Sequence, residues 1–321
     1  MKLFRMLALA ALAAGPVSAI ADEMPPGPIR LLVGFAPGGA NDAIARLIST
    51  PLQAQTKTTV VVENKPGVGS NVAAGEMARA TPNGQVLLLG STGGQTIAPA
   101  LYGKLPFDPA KDIQPVTLIS RSALAIVVND ALPVKNVAEL IAYAKQNPGK
   151  LNYSTGGSGT GAHLGTEYFK SMAGVSMTHI PYKGDAPALQ DVMAGLAHVN
   201  FAGLPAAISA TASGRVRIIA VTSPKRVPQL PDVPTVAESG LKDYSVLTWY
   251  GVFTTGGTPA PVVKRLASEI GQVVNQPTVR DAIVRLGMEP APSTPEEFAK
   301  VFQGDMERWG KVVRTLGIKA D

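Results

Sequence analysis

Seven apolar, strand-favouring runs recur along this chain with almost no polar alternation. They are PIRLLVGF (28–35), TTVVVEN (58–64), QVLLLG (85–90), ALAIVVN (123–129), LNYST (151–155), HVNFAG (198–203) and VRIIAVT (216–222). A strand with one face in water alternates apolar and polar side chains, so runs of this kind belong to strands covered on both faces. Helical patterns separate them, which predicts an α/β architecture of parallel sheets covered by helices. The 321 residues are about twice a common domain, leaving two lobes or one large α/β unit.

The helices carry their own start and stop signals. Asn136 stands at an N-cap with Glu139 three residues on, and Asn147-Pro148-Gly149 closes that helix. Thr294-Pro295-Glu296-Glu297 reads as a capping box with proline at the first helical position. It opens a stripe of Phe298, Val301, Phe302, Trp309, Val312, Val313 and Leu316 on one helical face, which is core and not a ligand contact. Two stretches have the character of crossings between lobes: 119–125, and the proline-dense 227–240. Crossing at both divides the mature chain into a discontinuous lobe, 22–122 plus 240–321, and a middle lobe, 123–239. The groove between two such lobes is the natural place for a ligand.

The first residues, MKLFRMLALAALAAGPVSAIAD, combine Lys2 and Arg5, a short apolar run, and Ala19-Ile20-Ala21 as a cleavage site. This is the pattern of a secretory signal peptide over 1–21, cut after Ala21, and it predicts a periplasmic protein. No later run reaches the 18 apolar residues of a membrane span. With no cysteine there is no disulfide, thiolate zinc site or lipid-bearing thiol. The net charge of +6 includes Lys2 and Arg5, so cleavage leaves +4, scattered and without interleaved aromatics; nucleic-acid binding is not expected.

Catalytic signatures are missing. No serine satisfies GxSxG; Ser158 comes nearest, with Thr160 where the last glycine belongs. His163, His179 and His198 are 16 and 19 residues apart, which suits no compact metal spacing, so neither a metal nor a cofactor is expected. Gly157-Ser158-Gly159-Thr160-Gly161-Ala162 matches the dinucleotide fingerprint GxGxxG/A between a strand and a helix. The acid that should take the ribose hydroxyl about 20 residues on is absent before Asp185.

Those glycines suit another anion. The turns at 35–42, 90–94, 156–161 and 182–185 all lead from a strand towards a helix through Gly, Ser, Thr and Pro. Each can present free backbone N–H groups where the helix dipole favours negative charge. A hydrogen bond to a charged group contributes about 1.5–3 kcal/mol, so roughly four to six donors offset desolvation of a small carboxylate without arginine.

The ordered strings PIRLLVGFAPGGANDAIAR, VVVENKPGVGSNVAA, PNGQVLLLGS, LYGKLPFDPAKDIQPVTL, NPGKLNYSTGGSGTGAHL, HIPYKGDAPALQDVMAG, GRVRIIAVTSPKR, LPDVPTVAESG and GTPAPVVKRL resemble the Bug family, the extracytoplasmic receptors of tripartite tricarboxylate transporters. The resemblance implies a two-lobed periplasmic binding-protein fold of the type II-like, Venus-flytrap kind. Such a receptor closes over a small organic acid or amino-acid-like ligand, catalyses nothing, and docks on a membrane permease; it is expected to act as a monomer. By position, Phe35, Ala36, Gly39 and Asp42 fall in the first ligand loop, and Ser91 and Thr92 in the second. Ser158, Gly159, Thr160 and His163 fall on the middle-lobe loop, and Lys183, Gly184 and Asp185 on the next. The usual PDGYTLL reads Pro82-Asn83-Gly84-Gln85-Val86-Leu87-Leu88, and the frequent disulfide is absent; neither departure touches the implied pocket. An exported enzyme acting on a carboxylate, and a ligand sensor for a membrane kinase, are the other functions this chain admits.

Overall fold

One 17-residue strand organises the molecule. The computed structural model describes residues 27–103, 105–182 and 184–318; the predicted signal segment, Lys183 and the side chain of Leu316 lie outside the described residues. The strand, β4 (Ile113–Asn129), belongs to two sheets in turn. Its first part, as far as Ala123, pairs with β9 (Leu247–Thr255). From Leu124 onward it pairs with β7 (Val199–Gly203) on one side and, from Ala125, with β8 (Val216–Val221) on the other.

The first sheet runs β2 (Val60–Asn64), β1 (Ile29–Val33), β3 (Val86–Ser91), β9, β4, with the short β10 (Glu289–Pro290) also on β4. The second continues from β4 through β7 and β5 (Asn152–Thr155) to β6 (Thr178–Pro181). Strands β1, β2 and β3 are mutually parallel, as are β5, β6 and β7, whereas every pairing of β4 and β9 is antiparallel. The sheets are therefore mixed, not purely parallel as the sequence predicts. The difference has two sources: β9, read as no strand from the sequence, runs back between β3 and β4, and β4 itself runs antiparallel to β7 and β8 in the second sheet.

Burial on both faces explains the missing alternation in β1, β3 and β4, whereas β2, at the edge of the sheet, has no buried residue and leaves Val61 exposed, contrary to the sequence expectation. Leu31 and Val33 point into one core, with Leu87, Leu89 and the helices α1 (Ala40–Thr56) and α8 (Ala260–Asn275), while Leu32 and Leu88 point into the opposite core with Phe253, Phe298 and Phe302. In β4, Ile126 and Val128 enter one cluster and Ala125 and Val127 the other. Every residue of such a strand removes apolar surface from water, at about 25 cal/mol per Å².

The predicted caps form. Asn136 accepts the Glu139 N–H at 2.9 Å at the start of α4 (Val137–Gln146). Thr294 and Glu297 exchange both bonds of the capping box at the start of α10 (Pro295–Leu316). The stripe of α10 is core along its length, but not one core: Phe298 and Phe302 pack with the first sheet, and Trp309, Val312 and Val313 with the second. Tyr244 and Val246 also belong to the second sheet's core, so the chain stays with that sheet until β9 begins.

Candidate functional site

Parallel strands deliver their C-terminal ends to one edge, and in open α/β sheets ligands bind beyond that edge. In the first sheet the turns after β1, β2 and β3 emerge there, and in the second those after β5 and β6.

The first turn, leading into α1, is organised by Asp42. Its carboxylate accepts Gly38 N–H at 3.0 Å, Arg46 Nε at 3.0 Å on both oxygens, and Asn64 Nδ2 at 3.0 Å; Asn64 also donates to the Phe35 carbonyl at 3.1 Å. Gly38 takes φ 89°, which turns its N–H back onto the acid. The Arg46 bond first, then the Gly38 amide, hold the Asp42 carboxyl down at about 2. Asp42 is buried and spent on shaping the loop, whereas Phe35 is half-buried and Ala36 and Gly39 are exposed.

The turn after β3 is tied from behind. Ser91 N–H donates to Gln95 Oε1 at 2.6 Å, and Gln95 Nε2 donates to Ser70 Oγ at 3.3 Å. Thr92 is only 1% exposed, and its hydroxyl accepts the Trp249 N–H at 2.9 Å, so it anchors β9 to β3. Ser70 belongs to a turn, 67–71, that sequence reasoning left out of the site. Val68 and Ser70 both hold left-handed backbone, at φ 48° and 79°, which is rare for non-glycine and a genuine outlier for a β-branched side chain. Ser70 fills the space that Gly34 leaves: a Cβ on Gly34 would stand 1.9 Å from Ser70 Oγ. The signal for this turn was the glycine density of Lys65-Pro66-Gly67-Val68-Gly69 after a strand.

On the second sheet, Thr160 caps α5 (Gly161–Ala173). Its hydroxyl oxygen accepts His163 N–H at 3.2 Å and donates to the Gly157 carbonyl at 2.8 Å. His163 Nδ1 accepts the Gly159 N–H at 3.1 Å, so the buried ring closes the loop on itself. The ring also ends a column: it stacks on His179 at 4.1 Å between centroids, and His179 on Tyr153 at 4.8 Å. Ser158 and Gly159 remain half-buried at the rim. Tyr182 donates to the Asp191 carboxylate, a bond that with burial pushes its phenol up to about 12. Gly184 N–H donates to the Gly156 carbonyl at 3.1 Å, leading into α6 (Asp185–Ala194).

The two sets of turns face one another closely. A Cβ on Gly93 would stand 3.5 Å from the Gly159 carbonyl oxygen, one on Gly159 would stand 2.8 Å from Leu101 Cδ1, and one on Gly161 would stand 2.5 Å from Thr248 Cγ2. Tyr250, opposite Ser91 in the β3–β9 register, projects from the first sheet; burial, and then the charge of Asp185, push its phenol up to about 12. Neither Tyr250 nor Thr248 was foreseen, because both lie on the strand the sequence concealed. The described residues of 35–42, 90–96, 156–163 and 184–185 include no lysine or arginine. Among the described residues no cluster of three or more His, Asp or Glu is able to hold a metal ion, and no helix is long and apolar enough to cross a membrane.

Residues 44–318 match the model of the tripartite tricarboxylate transporter family receptor. The chain is 37% identical over 301 residues to a protein encoded in the tcbD-tcbE intergenic region of Pseudomonas sp. strain P51, covering 94% of this chain and 89% of that one. Among solved structures it is similar to R. palustris Rpa4515 with adipate, at 34% identity and a TM-score of 0.80 over 92% of this chain and 99% of the other. It is similar also to the periplasmic binding protein BugD, at 32% identity and a TM-score of 0.76 over 92% of this chain and all of the other.

Proposed function

This chain belongs to the tripartite tricarboxylate transporter receptor family, with the two-lobed fold of periplasmic binding proteins, and from that premise we propose that it is exported, captures a small carboxylate between its lobes and delivers it to a membrane transporter. The family binds solutes and does not turn them over. The lobes divide where β4 changes partners and where β9 begins, so closure carries the turns at 156–163 and 184–185 against those at 35–42 and 91–94.

One observation carries the carboxylate reading: the facing turns offer backbone N–H groups and hydroxyls, and none of their described residues is cationic. A carboxylate accepting several such donors gains about 1.5–3 kcal/mol from each, enough together to offset its dehydration. The adipate held by Rpa4515 is a carboxylate in a relative of the same fold. Thermal melting against mono-, di- and tricarboxylates, amino acids and aromatic acids tests the reading, because a ligand that binds only the folded form raises the melting temperature. At least one carboxylate is expected to raise it in a concentration-dependent way. Stabilisation only by cations or neutral sugars, or turnover of the added acid, overturns the assignment.

A further inference from the structure

Two histidines fasten the loop that opens α5. His163 sits in the first turn of that helix and is only 6% exposed. Its Nδ1 accepts the Gly159 N–H at 3.1 Å, so that nitrogen carries a lone pair and no proton. His179, on the edge strand β6, stands opposite Tyr153 of β5 in the register, and its ring lies between those of Tyr153 and His163, 4.8 and 4.1 Å from them between centroids. Its Nε2 is 2.7 Å from Thr155 Oγ1, and that hydroxyl donates to the Gly157 carbonyl at 3.1 Å. One ring thus holds residue 159 of the loop, and the other, through Thr155, holds residue 157.

The two bonds answer a proton differently. An imidazolium has two N–H donors and no acceptor. On His179 the added proton is tolerated, because Nε2–H donates to Thr155 Oγ1 while the hydroxyl's own hydrogen stays on Gly157. On His163 it is not: Nδ1–H and the Gly159 N–H become two donors aimed at one another. The first proton therefore belongs on His179. Its charge then lies against the stacked His163 ring, and like charges at that distance repel, which delays the second proton.

The other titratable groups around the column are matched. Tyr153 donates to Glu167, and Lys170 holds Glu167 at 2.6 Å and stands 5.3 Å from the Tyr153 ring centroid. From α10, Arg308 packs on Tyr168, five residues further along α5. From the first sheet's side, Leu101 and Thr248 meet this loop, and neither titrates. After β6 come Tyr182, bonded to Asp191, then Lys183, which lies outside the described residues, and Asp185.

We propose that His163 and His179 are the positioning pair of the ligand loop and make it sensitive to acid: His179 takes the first proton and spares the loop, and protonation of His163 releases residues 157–161. An ordinary imidazole titrates near pH 6.5, so the release belongs to mildly acid surroundings. Its consequence for capture rests on the carboxylate-receptor reading: the site gives up its acid as pH falls.

Nitrogen-15 NMR of the ligand-free full chain from about pH 8 to 5 tests the pair, since ring nitrogens report protonation and the Gly159 amide reports its bond. His179 is expected to charge at the higher pH, and the Gly159 amide to move with His163. His179→Phe keeps a stacked ring without a charge and should shift the Gly159 transition to higher pH. His163→Asn puts an amide oxygen in the place of Nδ1 and should abolish the transition. Lys183→Met should leave His179 charging before His163. Urea unfolding confirms each fold. A Gly159 amide that follows His179, that stays still as His163 charges, or that still shifts in His163→Asn overturns the inference, as does a reversed order in Lys183→Met. The melting panel repeated near pH 7.5 and 5 reads the consequence. Any acid that stabilises the native protein is expected to lose at least tenfold more affinity between the two pH values there than in His163→Asn, a comparison that cancels the acid's own titration. Equal losses overturn the inference and leave the receptor reading standing. A panel in which no acid stabilises overturns that reading, and the ring and amide shifts still decide the pair.

Discussion

Replacing Asp42 with asparagine keeps the shape of the first turn and removes its charge, so the cost measures how far that acid organises the loop. The folded protein holds the Asp42 carboxyl at about 2 against an ordinary 3.8, through Arg46, Gly38 and Asn64. That gap corresponds to roughly 2 kcal/mol of stability. The Arg46 side chain is 55% exposed, so solvent screening reduces the expected loss to about 1–2 kcal/mol. The pH dependence has a definite sign. A carboxyl whose folded pKa is depressed stabilises the fold fully above its unfolded pKa and loses that contribution as pH falls through the folded value. Urea unfolding of the native protein and Asp42→Asn should therefore differ by about 1–2 kcal/mol at pH 7 and at pH 5, with the difference shrinking between pH 4 and pH 2. Taking the difference cancels the titration of other carboxyls, which both proteins share. A gap below about 0.3 kcal/mol, or one that does not change with pH, would refute an ionised hub at the start of α1.

Three further substitutions probe the surroundings. Gly34→Ala sets a methyl 2.7 Å from the Ser70 Cα, a backbone atom that has no easy retreat, and should cost about 1–3 kcal/mol in urea unfolding; a neutral result means the 67–71 turn does not pack there. Thr160→Ala removes the α5 cap and should cost about 1 kcal/mol, while Ser158→Ala combined with it should weaken ligand binding at least tenfold in a folded protein, as read by calorimetry. Phe298→Ala empties a site where the ring meets Trp249 and Phe253 at 5.2 and 4.8 Å between centroids, with an expected loss of about 3–5 kcal/mol and a red shift of Trp249 emission.

Local chemistry settled much of this fold before any tertiary contact was known. Apolar runs without alternation read as strands, buried on both sides where Leu31, Leu32 and Val33 lie, although TTVVVEN becomes an edge strand with Val61 exposed. Thr294 with Glu297, and Asn136 with Glu139, had to start helices, because the partners that satisfy a helix's first N–H groups lie within three residues of each other. The glycine-rich turns were visible for the same reason, since each is one continuous stretch after a strand. What the chain did not disclose depends on partners far apart in sequence. LTWYGVFTT mixes polar and apolar residues, and only the β3 and β4 edges on either side of it make it the strand β9. With β9 hidden, Tyr250 and Thr248 could not be placed beside Ser91 and Gly161. The sequence marked Thr92 and Asp42 alike as polar residues of ligand turns, yet folding binds the first to Trp249 and the second to Asn64, 157 and 22 residues away. A residue's type declares which bonds it is able to make; whether those bonds are already taken is decided by what the fold brings next to it.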